Sequence, residues 1–493
     1  PPGEPLREWP VCGTVGYEFL GEVAALFIDP GGEAELTALW GEVSGDHRPF
    51  AALADEAKLE QATTTFGREV AWLARLQPRF DAVEIAAALA SLPVYRTYVE
   101  PASGRVEDAD TDAVEASTAA GTRLADVLLL RERGGVAADE FAVRFQQTSP
   151  AVTAKGVEDT AFYRDRRLLA LNEVGGDAGR FGIAVDDFHA ANLERARRFP
   201  QGLLVTQTHD TKRSGDARAR IGALAALAPQ WRETVADLDA IARLHGGDAV
   251  TAVDRYLIFQ TLVGVWPIEA ARLDAYLVKA LREAKQRTSW LDPDERYELA
   301  VSELATALLA DAGFAARLEL FLAELLPLGE HSALGQLLLK LCSPGVPDIY
   351  QGDELWRLSL VDPDNRRPVD WAERHAALAR VRGVPAPAPQ DRKIFLIQRA
   401  LALRSRRLQA LTGAYIPLEA GPYACAFLRG EADVLAAVAL RSPRQAVELA
   451  LPAEAHGLWR DVLGSAEREL GERVSLSASF AGPLPGIWLL ERR

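Results

Sequence analysis

The chain contains no methionine and begins at Pro1. A translated protein needs an initiator, so this reads either as a processed or cleaved piece of a longer protein or as a sequence from which the methionines were lost. Cysteine is nearly as scarce. Cys12, Cys342 and Cys425 are odd in number and far apart in 493 residues. That spacing excludes a disulfide framework and a CxxC metal pattern and fits a reducing cytoplasm. The seven histidines are scattered, without HExxH or a helically spaced pair, so no zinc site is expected. Neither an apolar run of about 18 residues nor a basic-then-apolar leader is present, so no membrane span and no signal peptide are expected.

Basic charge is also in short supply. Lys and Arg number 55 against 70 Asp and Glu, a net charge of −15. No cationic excess is available to displace phosphate counterions, which argues against nonspecific nucleic-acid binding. The GxxxxGK[ST] spacing is absent, and LNEVGGDAGRFG has no strand, Gly-rich turn and helix around it, so a nucleotide site is not expected.

What is present is ordinary globular material: 48% hydrophobic and 25% charged residues, long enough for two to four domains and one large core. The chemistry-bearing stretch is VTQTHDTKR, Val205 to Arg213. The apolar lead-in GLLV predicts a buried strand, which places His209 and Asp210 at its C-terminal end, where α/β barrels keep their catalytic groups. Read alone, the same residues fit a polar loop capping a helix. FQQTSPAVTAKGVEDTAFYR, 145–164, gathers Lys155, Glu158, Asp159, Phe162, Tyr163 and Arg164, a density suited to a ligand surface. Its bland alternative is a solvated helix start, with Glu158 and Asp159 favouring the N-terminal dipole and Phe162 packing inward.

Elsewhere the composition predicts helices over most of 22–90 and of 216–341. LPVYRTYV, 92–99, and VPDIY, 346–350, read as strands, the second running into Gln351, Asp353 and Glu354. VPAPAPQ, 384–390, reads as a surface loop or linker. DVLAAVALR, 433–441, and VSLSASF, 474–480, predict a small antiparallel β domain. In the second, Val474, Leu476, Ala478 and Phe480 alternate with serines.

Eight blocks now stand in order along the chain: GTVGYEFL (13–20), PVYRTYV (93–99), AKGVEDTAFYR (154–164), LNEVGG (171–176), TQTHDTKRS (206–214), QTLVGVWP (260–267), TSWLDPDERYE (288–298) and SPGVPDIYQGDELWRLSLVDPDNRRPVDW (343–371). Together they resemble the maltooligosyltrehalose synthase family of the α-amylase superfamily. The resemblance implies an α/β fold, the distal part of an α-amylase-type (β/α)8 barrel with large helical insertions and a C-terminal antiparallel β domain. On that scheme residues 1–20 are a barrel loop after the fifth strand, and 21–90 are a helical insertion. Residues 91–215 carry strands six and seven, 216–335 a second insertion, 336–405 the eighth strand and its helices, and 406–493 the β domain.

The activity implied is intramolecular transglycosylation, in which the reducing-end α-1,4 link of a maltooligosaccharide becomes an α,α-1,1 link without any cofactor. The other readings are an α-glucan hydrolase of the same superfamily and a noncatalytic glucan-binding remnant. By the resemblance, Asp210 is the carboxylate that holds substrate hydroxyls as charge develops, and His209 binds the same sugar. Lys212 seats the reducing-end glucose, while Lys155, Phe162 and Tyr163 help enclose it. The nucleophile and the general acid are expected upstream of Pro1; Glu4 and Glu8 fall in the Pro-rich loop after the acid. An N-terminal barrel portion, covalently continuous or a second chain, is therefore an expected partner, as is functional pairing with a maltooligosyltrehalose trehalohydrolase.

Overall fold

A computed structural model describes residue 4, residues 6–441 and residues 447–493, apart from the side chain of Ala478. The front of the chain is helical: Tyr17–Leu26, Glu33–Ser44, Phe50–Thr63, Gly67–Leu76 and Ala82–Ser91. Gly67–Leu76 buries Val70 and Leu73 and leaves Trp72 outside, as its helical period requires. Asp81 starts the next helix by accepting the Glu84 N–H at 2.8 Å. These two helices and Val136–Thr153 enclose a satellite core of Phe80, Leu89, Phe141 and Phe145.

Residues 92–99 correct a strand expectation. Among the described residues this stretch pairs with no strand, and the nearby Glu100–Arg105 contact is an isolated bridge. Side chains have taken the backbone groups a ladder would use. Gln146 accepts the Val99 N–H at 3.0 Å and donates to the Val99 carbonyl at 2.7 Å, Asp110 accepts the Tyr98 N–H at 2.7 Å, and Ser149 donates to the Tyr95 carbonyl at 2.8 Å. Buried polar backbone needs partners, and here they come from neighbouring helices.

Strand β1, Leu203–Leu204, pairs in parallel with β2, Val346–Pro347. On its other side the Leu203 N–H donates to the Thr14 carbonyl at 3.1 Å. Gly16 follows at φ 89°, where a Cβ would stand 2.4 Å from the Leu203 carbonyl oxygen, so the close approach of the two segments depends on glycine. From Gly215 to Cys342 the chain is mostly helical. Ala252–Val265 is buried on every side from Asp254 onward, and the 31-residue helix Ala312–Cys342 runs through the core and delivers the chain to β2. Among the described residues no single helix is long and apolar enough to cross a membrane.

The C-terminal part is an antiparallel six-stranded sheet. Its strands are β3 (Tyr415–Pro417), β4 (Ala424–Arg429), β5 (Val434–Ala439), β7 (Gly457–Asp461), β8 (Glu467–Leu470) and β10 (Ile487–Arg492), in the order β3-β4-β5-β10-β7-β8. A separate pair joins β6 (Glu448–Ala450) to β9 (Arg473–Ser475). Alternate residues of β5 enter different cores: Val434, Ala436 and Val438 pack toward the helices, Leu435, Ala437 and Ala439 toward the β6–β9 side. A strand covered on both faces reads as an unbroken apolar run, which is why 433–441 predicts itself well. The second strand expectation, 474–480, fails after Ser475. There the chain turns into a 3-10 helix, Leu476–Ala481, in which Ser479 Oγ donates to the Leu476 carbonyl at 2.6 Å. The Ala478 side chain lies outside the described residues.

Candidate active site

β1 emerges into a turn closed by its own hydroxyls. The Thr211 hydroxyl donates to the Thr208 carbonyl at 3.0 Å, and the Asp210 N–H donates to Thr208 Oγ1 at 3.1 Å. Thr208 Oγ1 also lies 3.0 Å from the Tyr17 hydroxyl. The turn is then held from two sides. Buried Glu173 accepts the Lys212 N–H at 2.7 Å and the Arg213 N–H at 3.1 Å, and its charge is met by buried Arg218 at 3.1 Å. From the loop after β2, Asn365 Nδ2 donates to the His209 carbonyl at 3.0 Å and the Thr211 carbonyl at 3.3 Å. Every backbone group named is fixed, while the side chains of His209 and Asp210 stay exposed. A carboxylate aimed outward from an immobile backbone is what electrostatic stabilisation of a developing cation needs.

Beside this turn the 154–164 stretch takes a form other than a helix start. It is the continuation of Val136–Thr153, which contains Pro150, and it widens into a π-helix over Ala154–Ala161. Pro supplies no N–H to the helical ladder, and wide turns of this kind often mark functional sites. The π-turn presents Asp159 to two lysines: Lys155 Nζ at 3.0 Å from Oδ2 and Lys212 Nζ at 3.1 Å from Oδ1. Burial pushes the Asp159 carboxyl up, but the two ammonium groups overcome this and hold it below its usual range. Lys285 locks the turn from behind, donating to the Asp159 carbonyl at 2.7 Å and to Thr160 Oγ1 at 2.9 Å. Glu283 completes the ring, 3.8 Å from Lys155. Glu158, which accepts the Tyr95 hydroxyl, is raised by burial; Lys212 draws it back, and Asp159 and Asp210 push it up.

Of the residues singled out in the sequence, the structure brings together His209, Asp210, Lys212 and Lys155, the two lysines through their shared carboxylate. Tyr163 joins them from below. Its ring lies under Lys212 Nζ at 5.4 Å, and burial holds its hydroxyl well above the ordinary phenol range. Phe162 is not at this surface: it is 3% exposed, and its ring stacks on Phe50 at 5.7 Å. The expectation of a sugar-facing Phe162 is corrected accordingly, because its face already has an aromatic partner in the core. Asp159 was noted only as part of a charged cluster, and Glu173, Asn365 and Tyr17 were passed over. Each lies in or beside a motif block, yet its role consists of a contact between distant segments. Among the described residues no three His, Cys, Asp or Glu side chains gather as a metal site.

No family model matches the chain. Proteins from two strains of Mycobacterium tuberculosis, provisionally named maltooligosyl trehalose synthase, are each 39% identical to it over 452 aligned positions, 87% of this chain and 56% of theirs. The solved maltooligosyltrehalose synthase of Arthrobacter ramosus superposes with a TM-score of 0.87 at 33% identity, covering 100% of this chain and 65% of that one. This chain is homologous to maltooligosyltrehalose synthases. A Sulfolobus tokodaii structure described as a hypothetical maltooligosyl trehalose synthase agrees, with a TM-score of 0.83 at 28% identity over 99% of this chain and 64% of its own. The chain thus spans little more than half the length of the curated synthases it matches, and its helical body and antiparallel C-terminal sheet superpose on the solved synthases.

Proposed function

We propose that the protein carrying this chain is a maltooligosyltrehalose-forming transglycosylase. The single observation that supports this best is the arrangement around Asp159: two lysines held on one carboxylate, one of them two positions after the exposed Asp210. A hydrolase needs only to expose the glycosyl centre to water. A transglycosylase that moves a linkage within one molecule must retain the detached glucose while it turns over, and a preorganised set of cationic donors is suited to that task. The homology to maltooligosyltrehalose synthases supports the same reading.

In this account Asp210 grips substrate hydroxyls more strongly as positive charge develops at the anomeric carbon, and His209 contacts the same ring. Lys212 and Lys155 hold the reducing-end glucose. A retaining transfer also needs a nucleophilic carboxylate and a carboxylic acid about 5 Å apart. We assign both to a barrel portion upstream of Pro1, so that the (β/α)8 barrel is completed there, in the same protein or a second chain. Free trehalose would then require a trehalohydrolase acting on the product. The cytoplasm, with its reducing poise and supply of glucan, suits the unpaired Cys12, Cys342 and Cys425.

Incubating the full-length protein with maltopentaose tests the proposal. Loss of reducing ends with little free glucose is expected. Steady gain of reducing ends would sink the reading in favour of hydrolysis. Asp210→Asn should lower turnover by roughly 10²–10³-fold while the substrate still binds; unchanged turnover would remove Asp210 from the site.

A further inference from the structure

One exposed aromatic side chain lies next to the lysine pair and is used by nothing described so far. Trp290 is 51% exposed, with Leu291 beside it 98% exposed. Its ring is nevertheless immobilised. The indole N–H donates to Glu283 Oε1 at 3.1 Å, and the Arg282 guanidinium carbon sits over the ring at 5.1 Å from its centre. Arg282 is in turn fixed by a bidentate pair with Glu298 at 2.8 and 2.7 Å, and Glu298 accepts the Thr288 hydroxyl at 2.5 Å. The loop itself is closed by the Asp294 N–H on Thr288 Oγ1 at 2.9 Å and the Asp292 N–H on Ser289 Oγ at 2.9 Å.

The ring is therefore held at its indole N–H and approached on one face by Arg282, while about half of the side chain stays exposed. The carboxylate that pins it is the one lying 3.8 Å from Lys155 Nζ. A held indole with half of its surface exposed offers a glucosyl ring a large apolar contact at little entropic cost, and its electron-rich face attracts the polarised C–H bonds of the sugar. We infer that Trp290 is a sugar-stacking platform beside the Lys155–Asp159–Lys212 cluster, to which Glu283 links it, and that it sets the division between internal transfer and hydrolysis. The inference rests on the transglycosylase reading above.

The test uses the full-length protein with maltopentaose and measures free glucose against nonreducing product. In Trp290→Ala the share of glucose should rise roughly fivefold, the scale of one lost aromatic contact. Trp290→Phe keeps a ring but loses the bond to Glu283, and it should stay within about twofold of wild type. An unchanged product ratio in Trp290→Ala, even with slower turnover, would overturn the platform and leave only a loop anchor. Equal shifts in both variants would also overturn it, tracing the effect to Glu283. A wild type that releases only glucose would overturn the transfer reading, and this inference with it, before any variant is compared.

Discussion

The turn around Asp210 and the C-terminal sheet are held by opposite means. In the sheet, β4 and β5 are buried on both faces, and their order comes from apolar side chains packed into two cores and from a regular ladder of antiparallel bonds. Around Asp210 there is almost no ladder: among the described residues, the two residue pairs of β1 and β2 and one isolated antiparallel bridge, Arg213 with Leu360. The conformation there comes from the turn's own Thr208 and Thr211 hydroxyls and from side chains reaching in from elsewhere: Glu173, Asn365 and Tyr17. The sheet tolerates local change as long as volume is conserved, whereas the turn depends on a few irreplaceable polar contacts.

Substitutions that strike one region and spare the other test this contrast. Phe427, fully buried in β4 and packed on Tyr415 at 4.6 Å, is the sheet's case. Phe427→Ala should cost about 4 kcal/mol of unfolding free energy, read from chemical denaturation, with turnover per folded molecule unchanged. Glu173→Gln keeps the shape but leaves Arg218 without its counter-charge and weakens the hold on two backbone N–H groups. A loss of about 3 kcal/mol is expected, and here turnover should fall as well. If Glu173→Gln leaves turnover untouched, the turn is not held as described.

The smallest effect concerns Lys340, fully buried, whose ammonium donates to Thr206 Oγ1 at 2.8 Å below the same turn. Burial lowers its pKa from 10.5 to about 8, against the pull of Asp353. Between those values the unfolded chain binds the proton more readily than the folded one, so stability rises as the pH goes from 8 to 10.5 and is lost as it falls back. The rise is at most about 3 kcal/mol. Lys340→Met should abolish this part of the pH dependence, as seen in unfolding curves at pH 7.5 and 10. An identical slope in the variant would place the titration elsewhere.

The same contrast explains what could be read from the sequence. β5 is legible because both its faces are apolar, and the long helices because their period is regular. The stretch 92–99 has the composition of a strand but spends its backbone bonds on Gln146, Asp110 and Ser149, which no local pattern announces. Similarly, 474–480 alternates correctly, yet local serine contacts end it in a 3-10 turn. At the site, His209 and Asp210 were found from their position after an apolar run, and Lys212 from motif resemblance. Lys155 and the aromatic pair came from motif resemblance, which could not show that Phe162 and Tyr163 are both buried. That Lys155 and Lys212 share Asp159 depends on a π-turn meeting a loop some fifty positions away in the sequence, a contact set by packing rather than by local propensity.

Glu173 has one more consequence. Its carboxylate imposes the shape of a loop to which it does not belong, so the information for that loop is stored outside it. Transplanting residues 206–214 into another scaffold would carry the chemistry without the mould, and the graft would relax. A successful transfer would need Glu173 with its Arg218 and the Asn365 side chain to travel as one unit, which makes the inheritable module of this site a set of contacts and not a contiguous segment.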